Sequence, residues 1–164
     1  MRFTRGALAM LVVAACSRPS APPPAATTSD LASATAFVDS FIASLAHPAS
    51  SGSGAWFDTT RFVWARSGAL LGVDSLTALL NANAAAGKAV VLGTNDVELT
   101  PLDADAIVWS GIVSGAVRDS AGVERTVRGA LTLVLRRRGA GWVIAAGHES
   151  VRPWEDTHEA APAP

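Results

Sequence analysis

The chain of 164 residues contains one cysteine, no tyrosine and a lone lysine, Lys88. With a single thiol, Cys16, no intramolecular disulfide can form, and the fold must rest on apolar packing. The absence of tyrosine removes any phenolic donor. Three histidines, His47, His148 and His158, show no HExxH or related metal spacing. No Gly-x-Gly-x-x-Gly follows a strand-like run, and no serine stands in a nucleophile elbow. No metal or nucleotide cofactor is therefore expected. Basic residues are not in excess: 13 Lys and Arg stand against 14 Asp and Glu. That balance excludes the basic face a nucleic-acid partner would require.

What is present starts at the N-terminus. Arg2 and Arg5 give a positive start, residues 6–15 form an apolar run, and small residues close it. The run is too short to cross a bilayer core of about 30 Å as a mature helix. Basic start, apolar middle and small-residue end are the marks of a secretory signal, which is set aside from fold reasoning. Val13-Ala14-Ala15-Cys16 resembles the lipobox of bacterial lipoproteins. The resemblance implies a signal peptide over 1–15 and a lipidated Cys16 as the new N-terminus, carrying several acyl chains. One buried chain holds loosely, at about 0.8 kcal/mol per methylene, and several hold firmly. Ser17 after the cysteine fits an outer-membrane destination on the periplasmic side, if the cell has an outer membrane. Losing Arg2 and Arg5 leaves 11 basic residues against 14 acidic, a mature charge near −3.

Residues 16–29 then read as a tether. Pro19, Pro22, Pro23 and Pro24 lie among Ser, Ala and Thr, a composition that cannot bury enough apolar surface to fold. Such segments extend at about 3.1 Å per residue as semi-rigid spacers. The tail 155–164 has the same loose character and is expected to be disordered. Residues 30–154 have the length of one domain.

Within that domain Ser29 or Asp30 is placed to cap a first helix. Ala34, Phe37, Val38, Phe41, Ile42 and Leu45 give it one apolar stripe, and His47-Pro48 ends it. A Ser/Gly loop leads to a short strand over 61–66. Gly68 and Gly72 bracket a turn, Asp74 reads as the N-cap of a second helix carrying Leu76, Leu79 and Leu80, and Gly87 as its C-cap. The period then changes. Residues 88–99, 106–118, 123–138 and 142–151 read as four antiparallel strands in series, which makes the domain α+β.

The last hairpin has a definite expected register. A tight turn at Gly139-Ala140 pairs Arg138 with Gly141, then Leu135 with Ile144, Leu133 with Ala146 and Leu131 with His148. This puts Trp142, Ile144 and His148 on one apolar face with the leucines. Glu149 then points the other way, toward Arg128, as a surface pair. The 106–118 strand is apolar on both sides, with Ile107, Trp109, Val113 and Val117 facing Val108 and Ile112 across it. A sheet covered by helices on one face should be polar on the other. A homodimer through the outer face is therefore expected.

The order of these features carries a family resemblance over residues 31–151. Phe62-Val63-Trp64, the turn Gly68-Ala69-Leu70-Leu71-Gly72 and the helix with Leu76 come first. Leu131-Thr132-Leu133-Val134-Leu135, the glycine turn, Gly141-Trp142-Val143-Ile144 and His148-Glu149-Ser150 follow. Together they resemble the SnoaL-like, or DUF4440, branch of the NTF2-like superfamily. The resemblance implies an α+β cone with N-terminal helices packed on a curved, mainly antiparallel sheet, an apolar pocket between them, and frequent homodimers.

Folds of this kind host isomerases, cyclases, dehydratases and proteins without catalysis, so function must be read from the lining. No catalytic residue is assigned. The best candidates are His148 and Asp58, although a packed, hydrogen-bonded histidine at a strand end is the plainer reading of the first, and a cap or turn aspartate fits the second as well. Expected pocket residues are Arg61, Trp64, Trp109, Leu131, Leu133, Ile144 and His148. Core filling is the plainer reading for the tryptophans, and solvated charge for Arg61, Arg66 and the run Arg136-Arg137-Arg138. The expectation is an envelope lipoprotein whose domain binds a small apolar ligand or a partner protein. The alternative is a SnoaL-like acid–base enzyme acting on a hydrophobic small molecule.

Overall fold

Thr27 starts the first helix. In the computed structural model, which describes residues 25–46 and 55–153, α1 spans Thr28–Ser44. The Thr27 hydroxyl accepts from the Asp30 backbone N–H, and the Asp30 carboxylate accepts from the Thr27 backbone N–H at 2.8 Å. This reciprocal capping box satisfies two otherwise orphaned donors. The cap is thus Thr27 rather than Ser29 or Asp30, and the helix begins inside the stretch expected to be tether. Ala34, Val38, Phe41 and Ile42 form its buried stripe. Cys16, the signal segment, His47 and the tail lie outside the described residues.

Strand β1 is Val63–Arg66 and β2 is Ala69–Leu71, joined by a turn in which Ser67 and Gly68 have φ of 48° and 80°. The stretch expected as a bare turn is therefore a short hairpin. Helix α2 spans Val73–Ala85 and is capped by Gly72, so Asp74 sits in its first turn. Gly87, at φ 67°, follows its last residues in the left-handed geometry that favours glycine. Then come β3 (Ala89–Pro101), β4 (Ala106–Arg118), β5 (Glu124–Arg138), β6 (Gly141–Glu149) and β7 (Arg152–Pro153).

The sheet runs β2-β1-β6-β5-β4-β3, with β7 paired to β5. Its pairings are antiparallel except β1 with β6, which run parallel. The helices pack on one face, so the architecture is the expected α+β NTF2-like cone. On that inner face, Ile107, Trp109, Leu133, Leu135 and Ile144 are fully buried and pack with Ala34 and Val38 of α1.

The register of the last hairpin departs from expectation at one residue. Arg138 pairs with Gly141 and Leu135 with Ile144, as predicted. A bulge at Ala145 then adds a residue to β6, so Val134 meets Ala146, Leu133 meets Gly147 and Leu131 meets Glu149. One extra residue exchanges the two faces for everything beyond it. His148 therefore sits opposite Thr132 on the outer face and is exposed, while Trp142 and Ile144 stay inside. Glu149 takes the inner place expected for His148. The bulge coincides with a non-local anchor. Ile144 donates its N–H to the Trp56 carbonyl and accepts from the Asp58 N–H, which holds the 56–58 segment beside β6.

Candidate functional site

The inner face is packed solid at the β5–β6 turn end and hollow at the other. The hollow is a cavity of about 370 Å³, within the range of natural small-molecule sites. Phe41 and Leu45 of α1 and Leu76 and Leu80 of α2 form its helical wall. Val90, Val113, Val117, Val127 and Leu131 form its floor on the sheet, and Trp64 closes one side. Its polar lining consists of Arg66, Asn83, Lys88, Arg125 and Glu149.

Trp64 is positioned by a glycine. In the parallel β1–β6 pair it lies directly across from Gly147, and a Cβ there would come within 2.3 Å of the indole ring. Only glycine leaves the space the ring occupies. Phe62 stacks on Trp64, Phe57 packs on Phe62, and Phe41 meets Phe57 edge-on, so aromatic contacts run from β1 back to α1. The Trp64 indole N–H is buried and makes no hydrogen bond of ordinary geometry. It nevertheless lies near enough to the Glu149 carboxylate to favour its charge.

Glu149 is the buried carboxylate of the cavity. Two pairs further along the same ladder, on the same face, it lies across from Arg66, whose Nε stands 2.8 Å from its Oε1. Burial pushes its carboxyl above the usual range, opposed in turn by Arg66, the Trp64 N–H and His148. A carboxylate beside an apolar wall, with its pKa raised, is a candidate for proton exchange with a bound molecule. The sequence reading assigned Glu149 to the outside; it belongs to the site. The available signal was Gly147, since a glycine within a strand marks a bulge or a close backbone approach.

The other sequence candidates fall elsewhere. Leu131 lines the cavity with Trp64. Trp109, Leu133 and Ile144 are wholly buried in the packed half, where they serve as core. Arg61 and His148 are exposed and do not line the cavity. Asp58 closes a turn: its Oδ1 accepts from the Thr60 backbone N–H at 3.0 Å and from the Thr60 hydroxyl at 2.6 Å, and its Oδ2 stands 3.2 Å from Arg136. The Thr60 bonds, then Arg136, hold its carboxyl below the usual range. His148 and Asp58 are not brought together at the cavity. The arginine run is not a free tip either, since Arg136 and Arg137 are both engaged in ion pairs. Among the described residues no group of His, Cys, Asp and Glu is arranged to hold a metal ion. No helix among them is long and apolar enough to cross a membrane.

No family model and no curated protein matches the sequence. Solved structures do match in shape. A ketosteroid isomerase-like protein from Erwinia carotovora atroseptica superposes with a TM-score of 0.65 at 17% identity, covering 76% of this chain and 98% of that one. An NTF2-like protein of unknown function from Shewanella oneidensis gives 0.60 at 14%, covering 73% and 97%. A scytalone dehydratase candidate from Novosphingobium aromaticivorans gives 0.66 at 8%, covering 77% and 89%. The fold is NTF2-like. At these identities the likeness speaks for the fold and leaves the chemistry to the cavity.

Proposed function

We propose that this chain is an envelope lipoprotein, anchored through Cys16, whose NTF2-like domain of the SnoaL-like, DUF4440 branch holds a small, largely apolar molecule. The cavity carries this reading: it is open space walled by leucine, valine and aromatic side chains, where a domain built only to pack would be filled. The layout supports a tethered binder. The N-terminus of α1, which continues the tether, is fastened at the β5–β6 turn end by Arg137. The cavity lies toward the far end of β4, a strand of 13 residues, which spans about 40 Å. A bilayer at the tether end would leave the cavity facing away from it.

The outer sheet face supports a homodimer. Val63 and Leu70 are exposed there, and Val108, Ile112 and Val134 lie half-buried in the single chain. Native mass spectrometry of the protein purified from its own envelope tests both points together. The expected species is two chains with a small molecule retained and an acylated N-terminus. A bare single chain, empty under conditions that preserve complexes, would overturn the ligand and the dimer.

A second reading is an acid–base enzyme acting on a hydrophobic molecule, and Glu149 favours it. It is a half-buried carboxyl with a raised pKa lining an apolar cavity, the arrangement such chemistry uses. Turnover would have to proceed without a phenol, and no histidine among the described residues lines the cavity.

A further inference from the structure

The cavity's charges do not balance. Three cationic side chains line it, Arg66, Lys88 and Arg125, against one carboxylate, Glu149. Glu149 is taken by Arg66. Lys88 makes a single side-chain hydrogen bond, Nζ donating to the Asn83 carbonyl oxygen at 3.3 Å, with a neutral partner. No carboxylate among the described residues stands within ion-pair distance of Lys88 or Arg125. Elsewhere in the sheet, Arg118 pairs with Glu124 across the β4–β5 pair, and Arg136 with Asp58.

The register shows how the two cations are presented. Val117 pairs with Val90 on one side and Arg125 on the other, so Val90, Val117 and Arg125 form one row across β3, β4 and β5 on the inner face. Lys88 precedes Val90 by two residues, the spacing that keeps a side chain on the same face. Both cations thus stand where the apolar floor meets solvent. Arg125 is exposed and Lys88 half-buried, as long cationic side chains at an apolar rim commonly are. The interior behind them is apolar on both walls. The arrangement complements a molecule with a hydrophobic body and an acidic head, and it disfavours a neutral alkane-like body, which would leave the cations without a partner.

Resting on the ligand-binding reading above, we infer that the cavity takes an amphipathic anion, a hydrophobic tail bearing one carboxylate or comparable acidic group, with the tail between α2 and the sheet and the head between Lys88 and Arg125. A cationic amphiphile is the opposite case. It would need a free carboxylate, and Glu149 is already committed to Arg66. Charge-assisted contacts at the rim would select among tails of similar length, while the apolar wall supplies affinity common to all of them.

Calorimetric titration of the full-length chain with three ten-carbon probes, decanoate, 1-decanol and decylamine, tests this. Decanoate is expected to bind at least about tenfold more tightly than decanol, with a preference that shrinks as salt rises. The double variant Lys88→Gln, Arg125→Gln should bring decanoate down to the level of decanol and leave decanol unchanged. A single substitution, Arg125→Gln, gives a smaller change of the same sign and guards against misfolding of the double variant. Equal binding of decanoate and decanol to the unsubstituted chain would overturn the anionic-head inference and leave the apolar-ligand reading standing. Tightest binding of decylamine would also overturn it, pointing to Glu149. No binding of any probe would bring down the ligand reading and the inference together.

Discussion

The two ends of the inner sheet face use the same kinds of residue in opposite ways. At the β5–β6 turn end, charge fastens. Arg137 pairs with Asp30 of α1 and, at 3.3 Å, with Asp105, and its guanidinium stacks 4.4 Å from the centre of the Trp142 ring. The Trp142 indole N–H donates to the Ser33 hydroxyl at 2.9 Å, and Arg136 holds Asp58. Beneath this clasp the side chains are fully buried. At the cavity end, helices and sheet part, and no carboxylate among the described residues pairs with Lys88 or Arg125. The contrast separates what holds the cone together from what it is open to receive.

The largest expected effect tests the packing side of that contrast. Leu133→Ala, in the solid half where the side chain is wholly buried, should cost about 3–4 kcal/mol of unfolding free energy. Leu131→Ala, one inward position along the same strand and already bordering the cavity, should cost nearer the lower end of the leucine range, about 2 kcal/mol. Urea denaturation of both variants measures the difference. Equal losses would mean that the hollow end is packed as tightly as the other.

A smaller effect contrasts the carboxylates. Asp58, and Asp30 held by the Thr27 hydroxyl and backbone and by Arg137, have lowered pKa values. Their stabilisation is present above the unfolded value of about 3.9 and is lost as pH falls through the folded one. Glu149 is raised. Its contribution is fully present below the unfolded value of about 4.3 and declines as pH rises through the folded one. The two ends therefore respond to pH with opposite sign. The melting temperature of Glu149→Gln, taken relative to the unsubstituted chain, should rise between pH 4 and pH 7. That of Asp58→Asn should fall over pH 3 to 7. Parallel trends in the two variants would show that burial does not dominate at Glu149.

Much of the fold could be read in advance because its signals are local. Residues 106–118 form a run rich in β-branched residues, glycine marks the turn at 139, and a wide apolar stripe marks α1. The observed β4 has the bounds read from sequence, and the hairpin register holds from Arg138 to Leu135. The site was harder to read because one distant contact decides it. The bonds from Trp56 and Asp58 to Ile144 cross more than eighty residues of chain, and beside them β6 takes in Ala145 as an extra residue. No periodicity within β6 records that contact, so alternation carried past Ile144 put His148 inside and Glu149 outside. Strand β2 escaped for a different reason. Leu70 is 75% exposed and the strand has only three residues, so it carries no inward pattern to read.

The smallest expected effect bears on that exchange of faces. His148 stands on the outer side of β6, opposite Thr132 and beside Ala65, and the cavity wall does not include it. Its charge reaches Glu149 through the strand as a minor influence, behind burial, Arg66 and Trp64 in the balance that sets the carboxyl. His148→Ala should therefore change stability by no more than about 0.5 kcal/mol and leave decanoate affinity within about twofold, less than half a kcal/mol on the affinity scale. Glu149→Ala differs in kind, because it strips Arg66 of its partner within the cavity and adds a third uncompensated cation to the lining. It should tighten decanoate binding while His148→Ala does not. A tenfold loss of binding on replacing the histidine would restore the unbulged register, with His148 inside the cup and Glu149 on its outer wall.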